Sequence, residues 1–303
     1  TMGSLYYMSP EQVRGETAFV TGGASGIGLG MVRALGAAGA KVAICDVDIA
    51  RAQSVAADLV AQGAHAMAVA LNVTDPAAWE AAASAVRAQL GEVTILCNNA
   101  GVGGGSGLAE TYDPDVWHWV YAVNVDSLLY SVRTFLPGMK AGGRPCHIVN
   151  TASMSAVVPT PNSIAYVSTK YAAMGFTLAL RNELGGTNIG ISVLCPGMTA
   201  TRIVETTQAT LPCHAEQGAG EATAAAMNAI LSTGMRPDSV GRAVLDAILT
   251  DRFYIFTHPE WKPLVAARAQ ELLDGFGDSA EPGYQDDLQG LMAAASTGAF
   301  KMR

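Results

Sequence analysis

Short apolar runs alternate along this chain with longer Ala-rich stretches whose apolar positions recur at helical spacing. The runs TAFVTG (17–22), KVAICD (41–46), AMAVALNV (66–73), VTILCNNAG (93–101), CHIVNTAS (146–153) and IGISVLCPG (189–197) predict six strands, and RFYIFTH (252–258) a seventh. The intervening spacing predicts helices over 26–38, 48–62, 75–90 and 114–136, and another through Tyr166 and Lys170. The runs are apolar throughout rather than alternating, as strands buried on both faces require. Repeated βα units of this kind predict an α/β fold, a doubly wound parallel sheet of about seven strands with helices on both faces. Pro/Ser-rich linkers and charge runs are absent, so a single domain over 14–258 is expected. An N-terminal tail (1–13) and a helical C-terminal extension (259–303) flank it, and a substrate lid is expected over about 199–235.

Half of the 303 residues are hydrophobic and 15% are charged, enough apolar material for a large core. The net charge of −8 argues against a nucleic-acid-binding surface and fits a protein that handles small molecules. Cys45, Cys97 and Cys195 end apolar runs and Cys146 begins one; with Cys213 they form no CxxC pair. Buried free thiols in a reducing compartment are expected, and no metal site. No stretch is long enough to span a membrane, and the opening TMGSLYYMSP lacks the basic-then-apolar order of a secretory leader. A cytoplasmic location is expected, and the sequon at Asn72 is discounted.

Ligands of such sheets bind beyond the carboxyl ends of the strands, so the residues following each run matter most. TGGASGIG (21–28) follows the first strand and opens the first helix, with Gly22, Gly26 and Gly28 in G-x3-G-x-G spacing. Glycines there let the backbone approach a pyrophosphate, and Ser25, Ile27 and Gly28 would offer amides at a helix N-terminus. The spacing alone also fits a turn that merely packs helix on strand; it is not a Gly-Lys-Ser/Thr phosphate loop. Asp46 ends the second strand 18 residues beyond Gly28, where a carboxylate can accept bonds from the adenosine ribose. It would repel a 2′-phosphate, which favours NAD over NADP. Asp48 is better placed than Asp46 to cap the next helix, and Arg51 is expected to point away. In NNAG (98–101), Asn98 can bond neighbouring loop backbone, while Ala100 and Gly101 let a flat ligand pass close.

IAYVSTKYAAM (164–174) places Tyr166 and Lys170 at i and i+4, on one helix face. A neighbouring ammonium lowers the pKa of a phenol, ordinarily about 10. Ser153, 13 residues upstream at the mouth of the fifth strand, can bond a substrate oxygen. The three suit removal of a proton from an alcohol while hydride leaves its carbon; the pair alone favours an ordinary, partly exposed helix.

TGGASGIG, NNAG, Ser153, YVSTK and Pro196–Gly197, in this order over about residues 14–256, resemble the short-chain dehydrogenase/reductase family. The resemblance implies a Rossmann-type fold and an active tetrad of Asn124, Ser153, Tyr166 and Lys170. It makes Tyr166 the general acid/base, Lys170 the group that lowers its pKa and holds the nicotinamide ribose, and Ser153 the orienter of the substrate oxygen. Asn124 would anchor a water linking Lys170 to solvent. Pro196, Gly197, Thr199 and Thr201 match positions that contact the nicotinamide amide and phosphates. Asn72, beside Val73, stands where the family often has aspartate near the adenine, so altered adenine contacts are expected. The tail and GGRPCHIVNTAS are similar to bacterial enzymes that oxidise benzylic alcohols in lignin-derived aryl ethers. A homo-oligomer, dimer or tetramer, is also implied.

Met154, Val157, Val158 and Pro159 beside Ser153, with Leu211 and Met227, offer an apolar wall. Ser153, Met154, Val158 and Tyr166 are therefore the expected substrate contacts, for an uncharged alcohol or ketone. Trp117, Trp119 and Tyr121 are read as packing, and His214 and His258 as ordinary histidines. Two alternatives stay open: an NADPH-preferring ketoreductase, and a non-catalytic NAD-binding regulator on the same fold.

Overall fold

The computed structural model describes Met8 and residues 10–105, 107–212, 221–276, 287, 289 and 290. Most of the expected tail, residues 213–220 of the expected lid with Cys213 and His214, and most of the extension beyond 276 lie outside the described residues. A short helix α1 (Pro10–Val13) precedes β1 (Thr17–Thr21). Then follow α2 (Gly26–Ala37), β2 (Lys41–Asp46), α3 (Ile49–Ala61), β3 (Ala66–Ala70), α4 (Pro76–Leu90) and β4 (Val93–Asn98). The second half runs α5 (Pro114–Tyr121), α6 (Ser127–Gly142), β5 (Cys146–Thr151), α7 (Ile164–Glu183) and β6 (Ile189–Cys195). It continues through α8 (Ile203–Thr210), α9 (Glu221–Ser232), α10 (Pro237–Thr250), β7 (Tyr254–Phe256) and α11 (Lys262–Asp274).

Local chemistry sets the boundaries. Asp48 caps α3 by accepting the Arg51 amide at 3.1 Å, and Asp75 caps α4 by accepting the Ala77 amide at 2.9 Å, with Pro76 at the first helical position. Asp113 and Pro114 do the same for α5. Strands β3, β4 and β6 stop two or three residues before the expected ends, because the Asn, Gly and Pro residues that follow leave the ladder for loops. The helix expected over 114–136 is two helices joined by a π-helical turn, Ala122–Asp126, and the second continues to Gly142 through Pro137. Pro137 is exposed, so the carbonyl it leaves without a helical donor faces water.

All seven strands are parallel, in the order β3-β2-β1-β4-β5-β6-β7. Alternate strand residues feed two cores. Ala18, Val20, Val42, Ile44, Ile95 and Leu194 join Met31, Leu35, Val240, Val244 and Ile248 from α2 and α10. On the opposite face Phe19 meets Phe135 at 4.8 Å and Trp79 at 6.0 Å between ring centroids, a buried aromatic cluster held by α4 and α6. The chain reverses direction of growth between β1 and β4, and that crevice, at the carboxyl ends, is where this topology binds ligands.

Cys45, Cys97, Cys146 and Cys195 are buried free thiols, as expected. The compact unit that holds the sheet ends at Glu260, two residues past the expected boundary, and a second unit carrying α11 begins at Trp261. Among the described residues no helix is long and apolar enough to cross a membrane, and no His, Cys, Asp and Glu cluster is arranged for a metal ion.

Candidate active site

The β1–α2 turn is built against the end of β4. Gly22 and Gly26 have φ of +63° and +52°, conformations that L side chains rarely adopt. A Cβ on Gly28 would lie 2.1 Å from the Gly22 carbonyl oxygen, so the turn closes only around glycine. Thr21 Oγ1 accepts the amides of Asn99 and Ala100 at 2.9 and 3.0 Å, and Asn99 Nδ2 donates to the Thr21 carbonyl at 3.0 Å. Asp46 accepts the Ala24 amide at 3.0 Å through one oxygen and the Asp48 amide at 3.0 Å through the other. The result is a backbone cradle at the N-terminus of α2 with a carboxylate at its rim. It fits a dinucleotide, and Gly22, Ser25, Gly26, Ile27, Gly28 and Asp46 are the residues that would hold one.

One expectation about this rim changes. The loop-bonding role assigned to Asn98 belongs to Asn99. Successive strand residues face opposite ways, and Asn98, only 5% exposed, donates instead to Asn150 Oδ1 at 2.9 Å. Arg51 pairs with Asp48 at 3.2 Å. Asn72 is exposed, its side-chain oxygen taken by the amide and hydroxyl of Thr74 at 3.1 and 2.9 Å, whereas Val73 is buried.

Ser153, Tyr166 and Lys170 converge at the carboxyl ends of β5 and β6. Ser153 neighbours the half-buried Tyr166 phenol, and its Oγ accepts the Ser155 amide at 3.0 Å. Lys170 is 4% exposed; its Nζ lies 5.4 Å from the Tyr166 ring centroid and donates to the Thr151 carbonyl at 3.2 Å. Burial pushes the Lys170 ammonium down to about 8. Burial pushes the Tyr166 phenol above its ordinary range, the Ser153 hydrogen bond draws it back, and the nearby Cys195 thiol adds to the upward push. Lys170 Nζ thus lies over the phenol ring while the Thr151 carbonyl engages it. Asn124, in the π-helical turn, exchanges bonds with Val102, accepting its amide at 2.9 Å and donating to its carbonyl at 3.0 Å. It also donates to Thr169 Oγ1 at 3.0 Å. Its side chain therefore ties the loop after β4 to α7. A Cβ on Gly101 would sit 3.2 Å from Asn124 Oδ1 and 3.4 Å from Lys170 Nζ.

The segment after β6 arches over this crevice. Thr201 packs against Gly26, within 3.2 Å of where a Cβ would stand, and Thr207 on α8 accepts the Gly103 amide at 2.8 Å. Thr199 is buried, its hydroxyl donating to the Gly197 carbonyl at 3.2 Å, and Pro196 accepts the Met154 amide at 2.9 Å. Met154 is buried and Val158 partly so, but Met227 is 43% exposed on α9 and is an exposed side chain rather than a buried wall. Tyr112 donates to the Gly104 carbonyl and stacks edge-on with Trp117, which packs on Tyr121. Motif reading missed Asn99, Thr207 and Tyr112. Asn99 and Thr207 act through partners far off in sequence and Tyr112 through Gly104, eight residues before it; only Asn99 carried a signal, as the second Asn of NNAG.

Comparison with known proteins agrees with this geometry. The family model "short chain dehydrogenase" matches residues 16–212. The chain is 36% identical over 245 residues to 1-deoxy-11-beta-hydroxypentalenate dehydrogenase of Streptomyces avermitilis, covering 80% of this chain and 85% of that one. It is 29% identical over 283 residues to the C alpha-dehydrogenase of a Sphingobium species, covering 92% of each. A short-chain dehydrogenase/reductase from Burkholderia phymatum, solved in complex with NAD, superposes with a TM-score of 0.81 at 30% identity, covering 90% of this chain and 99% of that one. A glycine cradle, a rim carboxylate and a Ser-Tyr-Lys cluster on one sheet edge, with a family match over most of the sheet, carry one conclusion: the chain belongs to the short-chain dehydrogenase/reductase family.

Proposed function

We propose that this enzyme interconverts a secondary alcohol and a ketone, with NAD as its cofactor, and that Tyr166 moves the proton. The observation that carries this is the Tyr166 phenol beside Ser153 and the buried Lys170 ammonium, at the same sheet edge as the glycine cradle. When bound, NAD accepts the hydride and brings a cationic ring to the site. Ser153 donates to the substrate oxygen and fixes it beside Tyr166. The Tyr166 phenolate takes the hydroxyl proton, and its charge is stabilised by Lys170. In the reverse direction the phenol returns that proton to the carbonyl oxygen. Asp46 supports NAD over NADP, because its carboxylate at the cradle rim repels a 2′-phosphate.

Met154, Val157, Val158 and Leu211 border Ser153 and the post-β6 segment with apolar groups, and Lys170, the cation at the cluster, is already engaged by Thr151. An uncharged substrate with an aryl or bulky apolar substituent fits these groups. One relative is named for a hydroxypentalenate and another for a Cα position, in keeping with oxidation at a carbon inside a larger skeleton. The enzyme acts as a homo-oligomer in this reading: Ile164, Tyr171 and Leu178, spaced by seven along α7, are 37%, 38% and 37% exposed.

Tyr166→Phe tests the proton transfer. Turnover of the best alcohol in a panel of aryl and alkyl secondary alcohols, benzylic β-aryl ethers included, should fall by about 10²–10⁴-fold. The dissociation constant for NADH, read by fluorescence, should change less than about twofold. Normal turnover by the phenylalanine variant would remove Tyr166 from the mechanism, and tighter binding of NADPH than NADH would overturn the cofactor assignment.

A further inference from the structure

His258 follows β7, two residues beyond its last strand residue, and belongs to none of the motifs above. It is 7% exposed. Its Nδ1 faces the Gly197 amide at 3.1 Å and the Thr257 hydroxyl at 2.7 Å, and its Nε2 faces the Met198 carbonyl at 2.9 Å. A backbone amide only donates and a carbonyl only accepts, so the tautomer follows: Nδ1 is the acceptor and Nε2 carries the proton. The ring also presses on the loop. A Cβ on Gly197 would lie 2.7 Å from His258 Cγ and 2.9 Å from Nδ1, so glycine at 197 is the shape complement of this imidazole.

The opposite side of the same loop is held by backbone. Met235 donates to the Met198 carbonyl at 2.9 Å, and Ala200 donates to the Met235 carbonyl at 2.9 Å. Residues 197–200 are therefore fixed between the Met235 backbone, an isolated bridge just before α10, and the His258 side chain. Removing the imidazole would leave the Gly197 amide without its acceptor, while the Met235 side stays intact.

We propose that His258 is a positioning residue, a clamp that sets the backbone of Gly197–Thr199 for the cofactor. The proposal rests on the reading that Gly197 and Thr199 face the nicotinamide. The side chain acts through the loop and touches neither cofactor nor substrate.

The test uses the full-length enzyme and three substitutions at this one position. His258→Leu fills the space without hydrogen bonds. His258→Asn keeps an acceptor at the level of Nδ1, and His258→Gln keeps a donor at the level of Nε2 but no Nδ1 acceptor. In the absence of nucleotide, amide exchange at Gly197 should accelerate at least tenfold in the Leu and Gln variants and stay near wild type in Asn. The NADH dissociation constant and the KM for NAD should rise about tenfold in Leu and Gln, with the alcohol KM within about twofold and substantial recovery in Asn. If His258→Leu does not fold, the Asn and Gln pair decides. Equal exchange and equal NADH affinity in those two variants overturns the clamp, as does a His258→Leu variant that matches wild type in both. These readouts do not depend on Tyr166. A Tyr166→Phe enzyme that still turned over would sink the proton-transfer reading and leave the clamp standing, and the converse holds for the His258 series.

Discussion

Single residues in this protein are set by what surrounds them more than by their type. Lys170 and His147 are both buried cations-in-waiting, with opposite uses. Lys170 stays at about 8, so it is largely charged at neutral pH, where the proposed chemistry needs it. His147 is completely buried in β5, its Nε2 2.8 Å from Ser192 Oγ, and burial pushes it down to about 3. Ser192 Oγ donates to the Arg252 carbonyl at 2.7 Å, so Nε2 carries the ring proton and His147 is neutral when folded. The unfolded chain binds a proton at His147 below an ordinary histidine pKa of about 6.5, and the folded chain does not until about pH 3. Stability from this group is therefore present above about pH 6.5 and falls as pH drops, by about 1.4 kcal/mol per unit. Denaturant titrations at pH 7 and pH 5 should show a loss about 2 kcal/mol larger for wild type than for His147→Gln. A His147→Gln variant with the same pH slope would locate the acid sensitivity elsewhere.

Among elements, the tightest junction is α2 against α10. A Cβ on Gly241 would lie 2.0 Å from the Gly30 carbonyl oxygen, and a Cβ on Gly30 would lie 2.2 Å from the Pro237 carbonyl oxygen. The two helices meet backbone to backbone, and α2 is the helix whose N-terminus forms the cradle. Gly241→Ala must push α10 outward, and overpacking of this kind costs about 1–3 kcal/mol. The thermal midpoint should drop by several degrees, with NADH affinity weakened because α2 moves with its turn. A midpoint unchanged from wild type would mean that α10 slides freely, contrary to this packing. The π-helical turn at Ala122–Asp126 is the other element of consequence. It places Asn124 where its amide reaches both the β4 loop and α7, a local irregularity of a kind that clusters at functional sites.

At the scale of the whole molecule, the seven-stranded parallel sheet gathers the loops after β1, β2, β4, β5 and β6 on one edge. Ser153 and Tyr166 need no proximity in sequence, because β5 and α7 bring them together there. Ile164, Tyr171 and Leu178 on α7 are exposed, and in the proposed assembly this stripe meets a second copy. Tyr171→Glu, at the middle of the stripe, should shift the enzyme toward smaller species in light scattering while NADH binding persists. An unchanged mass would move the interface to another face.

The amino-acid sequence determined the βα order, the glycine cradle, Asp46 at its rim and the Ser153, Tyr166 and Lys170 cluster. These depend on local spacing: apolar runs make strands, i and i+4 share a helix face, and a glycine turn follows a strand. The helix cap at Asp48 was legible for the same reason. What only the tertiary structure decided are the partners across the sheet. Asn99 rather than Asn98 faces the cradle, because strand alternation at the last residue of β4 depends on where the ladder stops. The Lys170 ammonium meets the Thr151 carbonyl, because the path of the lysine stem leads Nζ there. The reach of His258 to Gly197, 61 residues away, is set by the neighbouring positions of β6 and β7. Directional hydrogen bonds and close contacts between distant segments are fixed by the three-dimensional path of the chain, which periodicity along the sequence does not encode.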